Sequence, residues 1–166
     1  GRTTLSTKTK TVDGIIFYIT CMCKTVKRHR VFRIVATKNF ETVDGRIVEK
    51  GEPGGWIESA LNLSQDGRCW IDDDAVVLGN GGVTDNALVA DEVMCEGILQ
   101  DNAIARGKAC IEDGAICRDN TLGGDIARVK ENAIVMDNAT VAEDAIVCKN
   151  AVIGDDAYYT SRFTKL

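Results

Sequence analysis

The sequence predicts an all-β fold: a parallel β-helix of about five triangular coils with a small N-terminal β cap. Three observations lead there. The stretch Cys69 to Thr160 repeats every six residues. A small residue recurs at Cys69, Ala75, Gly81, Ala87 and Val93, and again from Gly97 through Ala103, Ala109 and Ala115 to Ala157. Two residues after each comes an aliphatic position, as at Ile71, Val77, Val83, Val89, Leu99, Ile111, Val129, Val135, Val141, Val147 and Ile153. Spacing of two places both residues on one face of a short strand, and a fixed six-residue step calls for a winding rather than a sandwich. Three such strands close one coil, and stacked coils align the aliphatics into a continuous core. The residue before the small one is Asp74, Asn80, Asn86, Asn102, Gly114, Asn120, Asn132, Asn138, Asp144, Asn150 or Asp156 in most units. These types tolerate left-handed backbone, so the corner is expected at that phase.

The repeat resembles the hexapeptide-repeat, left-handed β-helix superfamily. More narrowly, GGWIES (Gly54–Ser59), NLSQDG (Asn62–Gly67) and CWIDDDAVVLGN (Cys69–Asn80) resemble uncharacterised bacterial, phage and prophage proteins often labelled transferases. The resemblance spans about Arg30 to Ala157. It implies a left-handed winding, which general crossover rules would not supply. It also implies a trimer, since proteins of this kind are often trimeric.

Taken in order, residues 1–10 are Thr/Lys-rich and are expected to lack structure. Met22 is an alternative start. Residues 11–20, with a turn at Asp13-Gly14, and Arg30–Thr37 read as two strands. Turn signals follow at Asp44-Gly45 and Glu52–Gly55. Residues 1–60 form a tail and cap, 61–160 the β-helix and 161–166 a C-terminal tail. Trp56 and Ile57 are expected to plug the open end of the first coil, with ligand stacking on Trp56 as the sharper alternative. From Val93 to Gly97 the step is four residues instead of six, so a corner there is shortened or bulged. Phe163 and Leu166 are candidates to close the last coil.

Charge is divided unevenly. Residues 1–50 hold eleven Lys/Arg and four Asp/Glu, whereas residues 51–160 hold seven and twenty-one. The basic run Lys24–Arg30 is expected to be solvated or to pair with the acidic coils. No stretch is long and apolar enough to span a membrane. Seven cysteines without framework spacing suggest a reduced, cytoplasmic chain. Cys21-x-Cys23 lacks the second ligand pair that a metal site needs.

The residue between the two inward positions should point outward, and on a solvated wall it should be polar. Here one wall reads Trp70, Leu88, Ile104, Leu122, Thr140 and Tyr158. A second reads Gly82, Ile98, Ile116, Ile134 and Val152. Contiguous apolar rows mark an interface, so Leu88, Ile104, Leu122, Ile98, Ile116, Ile134 and Val152 are the candidate oligomer or partner wall. A homo-oligomer is expected, a trimer by the resemblance, with a host protein as a further partner and no direct nucleic-acid binding. No catalytic residue, cofactor or metal is expected. The only histidine, His29, lies upstream of the coils, and one histidine cannot supply a zinc site. Asp72-Asp73-Asp74 reads as turn residues rather than a calcium cluster. Three functional expectations follow. The first is a non-catalytic interaction or structural protein, of phage origin by the resemblance. The second is an acyl- or nucleotidyltransferase with a divergent site. The third is an acidic inhibitor that imitates nucleic acid.

Overall fold

The computed structural model describes residues 15–160. The expectations for residues 1–10, for the turn at Asp13-Gly14 and for Phe163 and Leu166 lie outside them.

The described chain is all-β, apart from a three-residue 3₁₀ turn at Ala60–Asn62. Strands β1 (Phe17–Val26) and β2 (His29–Ala36) form an antiparallel hairpin, and β3 (Phe40–Glu41) with β4 (Ile47–Val48) forms a small second one. After β5 (Pro53–Ile57) come sixteen two-residue strands, from Trp70–Ile71 to Tyr158–Tyr159. They stack in parallel into three walls. The first wall runs through Val76, Met94, Cys110, Arg128 and Ile146. The second runs through Gly82, Ile98, Ile116, Ile134 and Val152. The third runs through Trp70, Leu88, Ile104, Leu122, Thr140 and Tyr158. The repeat therefore winds a parallel β-helix of three flat sides.

The inward residues form three vertical stacks. On the first wall Ile57, Val77, Cys95, Ile111, Val129 and Val147 succeed one another; Val77 and Val147 there are 0% exposed, and Val135 on the second wall is 1% exposed. Burial at roughly 25 cal/mol per Å² of apolar surface makes these stacks the main stabilising term. The Ala column, with Ala75, Ala87, Ala103, Ala109, Ala115, Ala133, Ala139 and Ala145 each 0% exposed, is buried beside the corners. The thiols of Cys69, Cys95 and Cys117 lie inside this core, and burial pushes all three up to about 12.

The winding begins earlier than the sequence suggested. Trp56 and Ile57 pair in parallel with Val76 and Val77, and Leu63 bridges to Val83. They are thus the first rung and not a plug, and the helix has about six turns instead of five. The GGW motif follows from this position: a Cβ on Gly55 would lie 2.5 Å from Ile71 Cγ2 and 2.6 Å from the Ala75 carbonyl oxygen. The NLSQ motif supplies the missing corner. Asn62 accepts from the Glu58 and Ser59 amides and donates to Gly81 O at 2.7 Å. Gln65 Oε1 accepts from the Ile16 and Phe17 amides while its Nε2 donates to Phe17 O, so it docks the start of β1.

The corners correct the expected phase. The left-handed residue is one position earlier than the Asn or Asp beside the small residue, at Asp73, Asp85, Asp91, Asp101, Asp119, Asp125, Glu131, Asp137, Glu143, Lys149 and Asp155. Only Gly114, with φ of 93°, keeps the expected phase. The reason is a hydrogen bond between coils. At that position a carboxylate accepts the amide of its counterpart on the next coil, as Asp101 does from Asp119 (3.0 Å) and Asp119 from Asp137 (2.9 Å). The following residue serves a different bond. Asn86, Asn102, Asn120 and Asn138 each donate Nδ2 to the Oδ1 of the next rung, ending on Asp156.

At Val93–Gly97 the corner is shortened. Only Glu96 and Gly97 separate Met94–Cys95 from Ile98–Leu99, so parallel partners across it are sixteen residues apart, as Gly82 and Ile98 are. The amides of Glu96 and Gly97 both donate to Ile111 O. Gly97 is required there, because a Cβ would sit 2.6 Å from Ala115 O and 2.7 Å from Glu112 O.

Candidate interaction surface

Three walls point outward with apolar residues, and the N-terminal segment decides which remain open. β2 pairs antiparallel with β5, so β1 and β2 continue the first wall's sheet below the first coil. Val31, Trp56, Val76 and Leu78 bury one another on its outer face. Lys24 Nζ lies 4.4 Å and Arg33 Cζ 5.0 Å from the Trp56 ring centroid. That ring is 6% exposed and already carries its own cations, which leaves no open face for stacking a ligand. Its Nε1 is buried without a hydrogen-bond partner.

The β3–β4 hairpin covers the third wall. Phe40 meets Trp70 edge-on, with centroids 5.3 Å apart, and Phe40 and Val43 pack on the core beside it. Salt bridges fasten the hairpin. Arg46 holds buried Asp72 with two hydrogen bonds, at 2.7 and 2.8 Å, and also pairs with Glu52. Asp44 reaches up to Arg106 at 2.8 Å. Burial alone would raise the Asp44 carboxyl, but hydrogen bonds from Thr42, Arg106 and the Arg46 amide hold it below its ordinary value. Within the Asp72–Asp74 run, Asp72 is an arginine partner and Asp73 a corner residue. Among the described residues no group of three or more His, Cys, Asp or Glu side chains is placed to hold a metal.

The candidate wall residues therefore divide. Leu88 is 2% exposed within the chain's own core cluster, and the partly buried Ile104 packs against that cluster. Leu122 is exposed at 37% above the reach of the hairpin. Gly82, Ile98, Ile116, Ile134 and Val152 form the outer row of the second wall, one per coil. No described part of the N-terminal segment pairs with this wall's strands. Its isoleucines are half-buried, and Val152 is 53% exposed.

Of the basic run, Lys27 and His29 meet the chain's own carboxylates, as does Arg33 beyond it. Lys27 lies 2.9 Å from Glu96, beside the shortened corner, and Arg33 lies 3.7 Å from Asp74. The Glu96 bond raises the Lys27 ammonium above its ordinary value. His29 Nδ1 lies 2.8 Å from Glu58 Oε2 in a partly exposed pair at the edge of the column. The His29 bond, with help from the Gly79 amide, holds the Glu58 carboxyl below its ordinary range. The contact engages Nδ1 alone, and the ring's other nitrogen, Nε2, takes no part in it.

What sequence reasoning missed is the covering role of residues 37–52. The signal was present as an apolar Phe40 and Val43 within a turn-rich segment, but nothing in their spacing names the wall they cover. Among the described residues no helix is long and apolar enough to cross a membrane. No protein-family model matches the chain, and no curated protein matches it.

Proposed function

We propose that the chain is a non-catalytic interaction protein, a rigid β-helical column that works by presenting its second wall. The observation that carries this reading is the division of the walls. The two hairpins cover the lower parts of the first and third walls, and they leave the aliphatic row Ile98–Ile116–Ile134–Val152 open. A row of this kind on a soluble surface marks an interface. The stacked core and the ladders between coils give it a fixed shape, which lowers the ordering cost of association.

The homo-oligomer, a trimer by the family resemblance, is the form of this reading in which the wall meets other copies. Static light scattering at tens of micromolar tests it, on the native chain and on Ile116→Lys. Self-association that the lysine disperses supports the wall as the contact. An unchanged mass in both, together with unchanged binding of every partner tried, removes the proposal.

A further inference from the structure

The borders of the second wall carry a charge pattern that selects its occupant. Along the corner toward the third wall stand Asp66, Asp85, Asp101, Asp119, Asp137, Asp155 and Asp156, against Arg68 and Arg118. Along the other border stand Glu96, Glu112, Asp113 and Glu131, against Lys130 and Lys149. Glu96 and Glu112 are partly neutralised by Lys27 and Arg128. The aspartate border is the more acidic. It is also held in place, because Asp85, Asp101, Asp119 and Asp137 each commit one oxygen to the amide of the next coil. The wall is thus an aliphatic row beside a row of fixed carboxylates, with one of each per coil.

We infer that this wall binds a basic amphipathic α-helix of another protein, laid along the axis of the column. This rests on the proposed function and names the occupant of its surface. Two arguments carry it. The first is charge. A second copy facing this wall sets the aspartate border against itself when its axis runs antiparallel and against a charge-balanced border when its axis runs parallel, so neither arrangement brings cations to the aspartates. A partner whose apolar stripe carries Lys or Arg along one edge meets complementary charge on the aspartate border, while the other border is balanced by Lys27, Arg128, Lys130 and Lys149. The second is pitch. Coils rise by about 4.8 Å, the spacing between strands. A helix presents one apolar and one basic residue per turn of about 5.4 Å, so it slips by only about 0.6 Å per coil, roughly 2 Å over three or four turns. An extended segment repeats on one face every 6.6 Å or so and falls out of step by about 2 Å per coil.

The probe is a fluorescein-labelled synthetic peptide of about four turns, built from leucine and lysine with the leucines on one face. A second peptide of the same composition has its order scrambled. Fluorescence polarisation is read against the native chain, Ile116→Lys, and a triple variant carrying Asp101→Asn, Asp119→Asn and Asp137→Asn. Asparagine keeps the acceptor oxygen and tolerates the left-handed corner, and thermal melts followed by circular dichroism confirm that each variant is folded. The amphipathic peptide is expected to bind about tenfold more tightly than the scrambled one or better, and to weaken as salt rises. Ile116→Lys and the triple variant should each lose about tenfold. Equal binding of the two peptides, or full binding by the triple variant, overturns the inference. Native self-association that Ile116→Lys disperses also overturns it, yet leaves the second wall as the working surface. If Ile116→Lys changes neither peptide binding nor mass, the proposed function fails with it.

Discussion

Substitutions at Asp119 and Asn120 separate the two residues of one corner. Asp119 has φ of 57° and its carboxylate accepts the Asp137 amide at 2.9 Å. Alanine at 119 loses a hydrogen bond to a charged group, near the low end of its range because the site is half-open, about 1.5 kcal/mol. It also places a Cβ without local polar compensation in left-handed backbone, about 1 kcal/mol more. The expected loss for Asp119→Ala is therefore about 2.5 kcal/mol. Asp119→Gly loses the same bond but relieves the backbone, for a net loss of about 1 kcal/mol. Asp119→Asn keeps an acceptor and tolerates the conformation, so it should lose under about 0.5 kcal/mol. At Asn120 the order differs. Its amide donates to Asn138 at 3.2 Å and accepts from Asn102, both at an exposed corner. Asn120→Ala should lose about 1 kcal/mol, and Asn120→Gly somewhat more, because glycine gains nothing where φ is negative. Urea denaturation measures these differences, provided the slope against denaturant stays constant along the series. If Asn120→Gly proves more stable than Asn120→Ala, or Asp119→Ala matches Asp119→Asn, the assignment of the left-handed residue is wrong.

Other outcomes follow from the hairpins and the core. Arg46→Ala strips buried Asp72 of its partner and should cost about 2 to 3 kcal/mol, less than a fully buried pair because Arg46 is partly open; differential scanning calorimetry reads it. The Asp44 carboxyl is held below its unfolded value, so its contribution is complete above about pH 4 and is lost as pH falls through the folded value. Asp44→Asn should therefore flatten the acid limb of the stability curve, and an unchanged limb would show that the Thr42, Arg106 and Arg46 amide contacts to this carboxyl together add nothing. Gly97→Ala drives a Cβ into two backbone carbonyls and should cost about 3 kcal/mol or prevent folding of the short corner. Gly123 is an inward, buried position with nothing within 4 Å of an added Cβ, so Gly123→Ala should raise the melting temperature, by about 0.5 to 1 kcal/mol of stability.

Legibility differs between the column and its surroundings for a physical reason. The core is one contact repeated at a fixed step. Val77, Val135 and Val147 declare themselves by phase, because each must lie on the rung above or below an equivalent residue. The corner phase was misread by one residue, because Asp and Asn both tolerate left-handed backbone. What separates them is which neighbour each must bond. An ionised aspartate can only accept, and it takes the amide above; an asparagine both accepts and donates, so it can pass a hydrogen bond along an unbroken column. The asparagine row ends at Asp156, which accepts from Asn138 and has no proton to pass on. The surface was legible as a list of apolar residues but not as a surface. Leu88 and Ile116 occupy the same phase of the repeat, yet one is sealed in the core cluster and the other is left open. The difference lies in Phe40, Val43, Asp44 and Arg46, an aperiodic segment that reaches Trp70, Asp72 and Arg106 by pairings without any fixed spacing in sequence. A periodic chain specifies its own interior, whereas the choice of open wall belongs to the segment that breaks the period. Swapping the open and covered walls should then require changes in residues 37–52 and few in the coils.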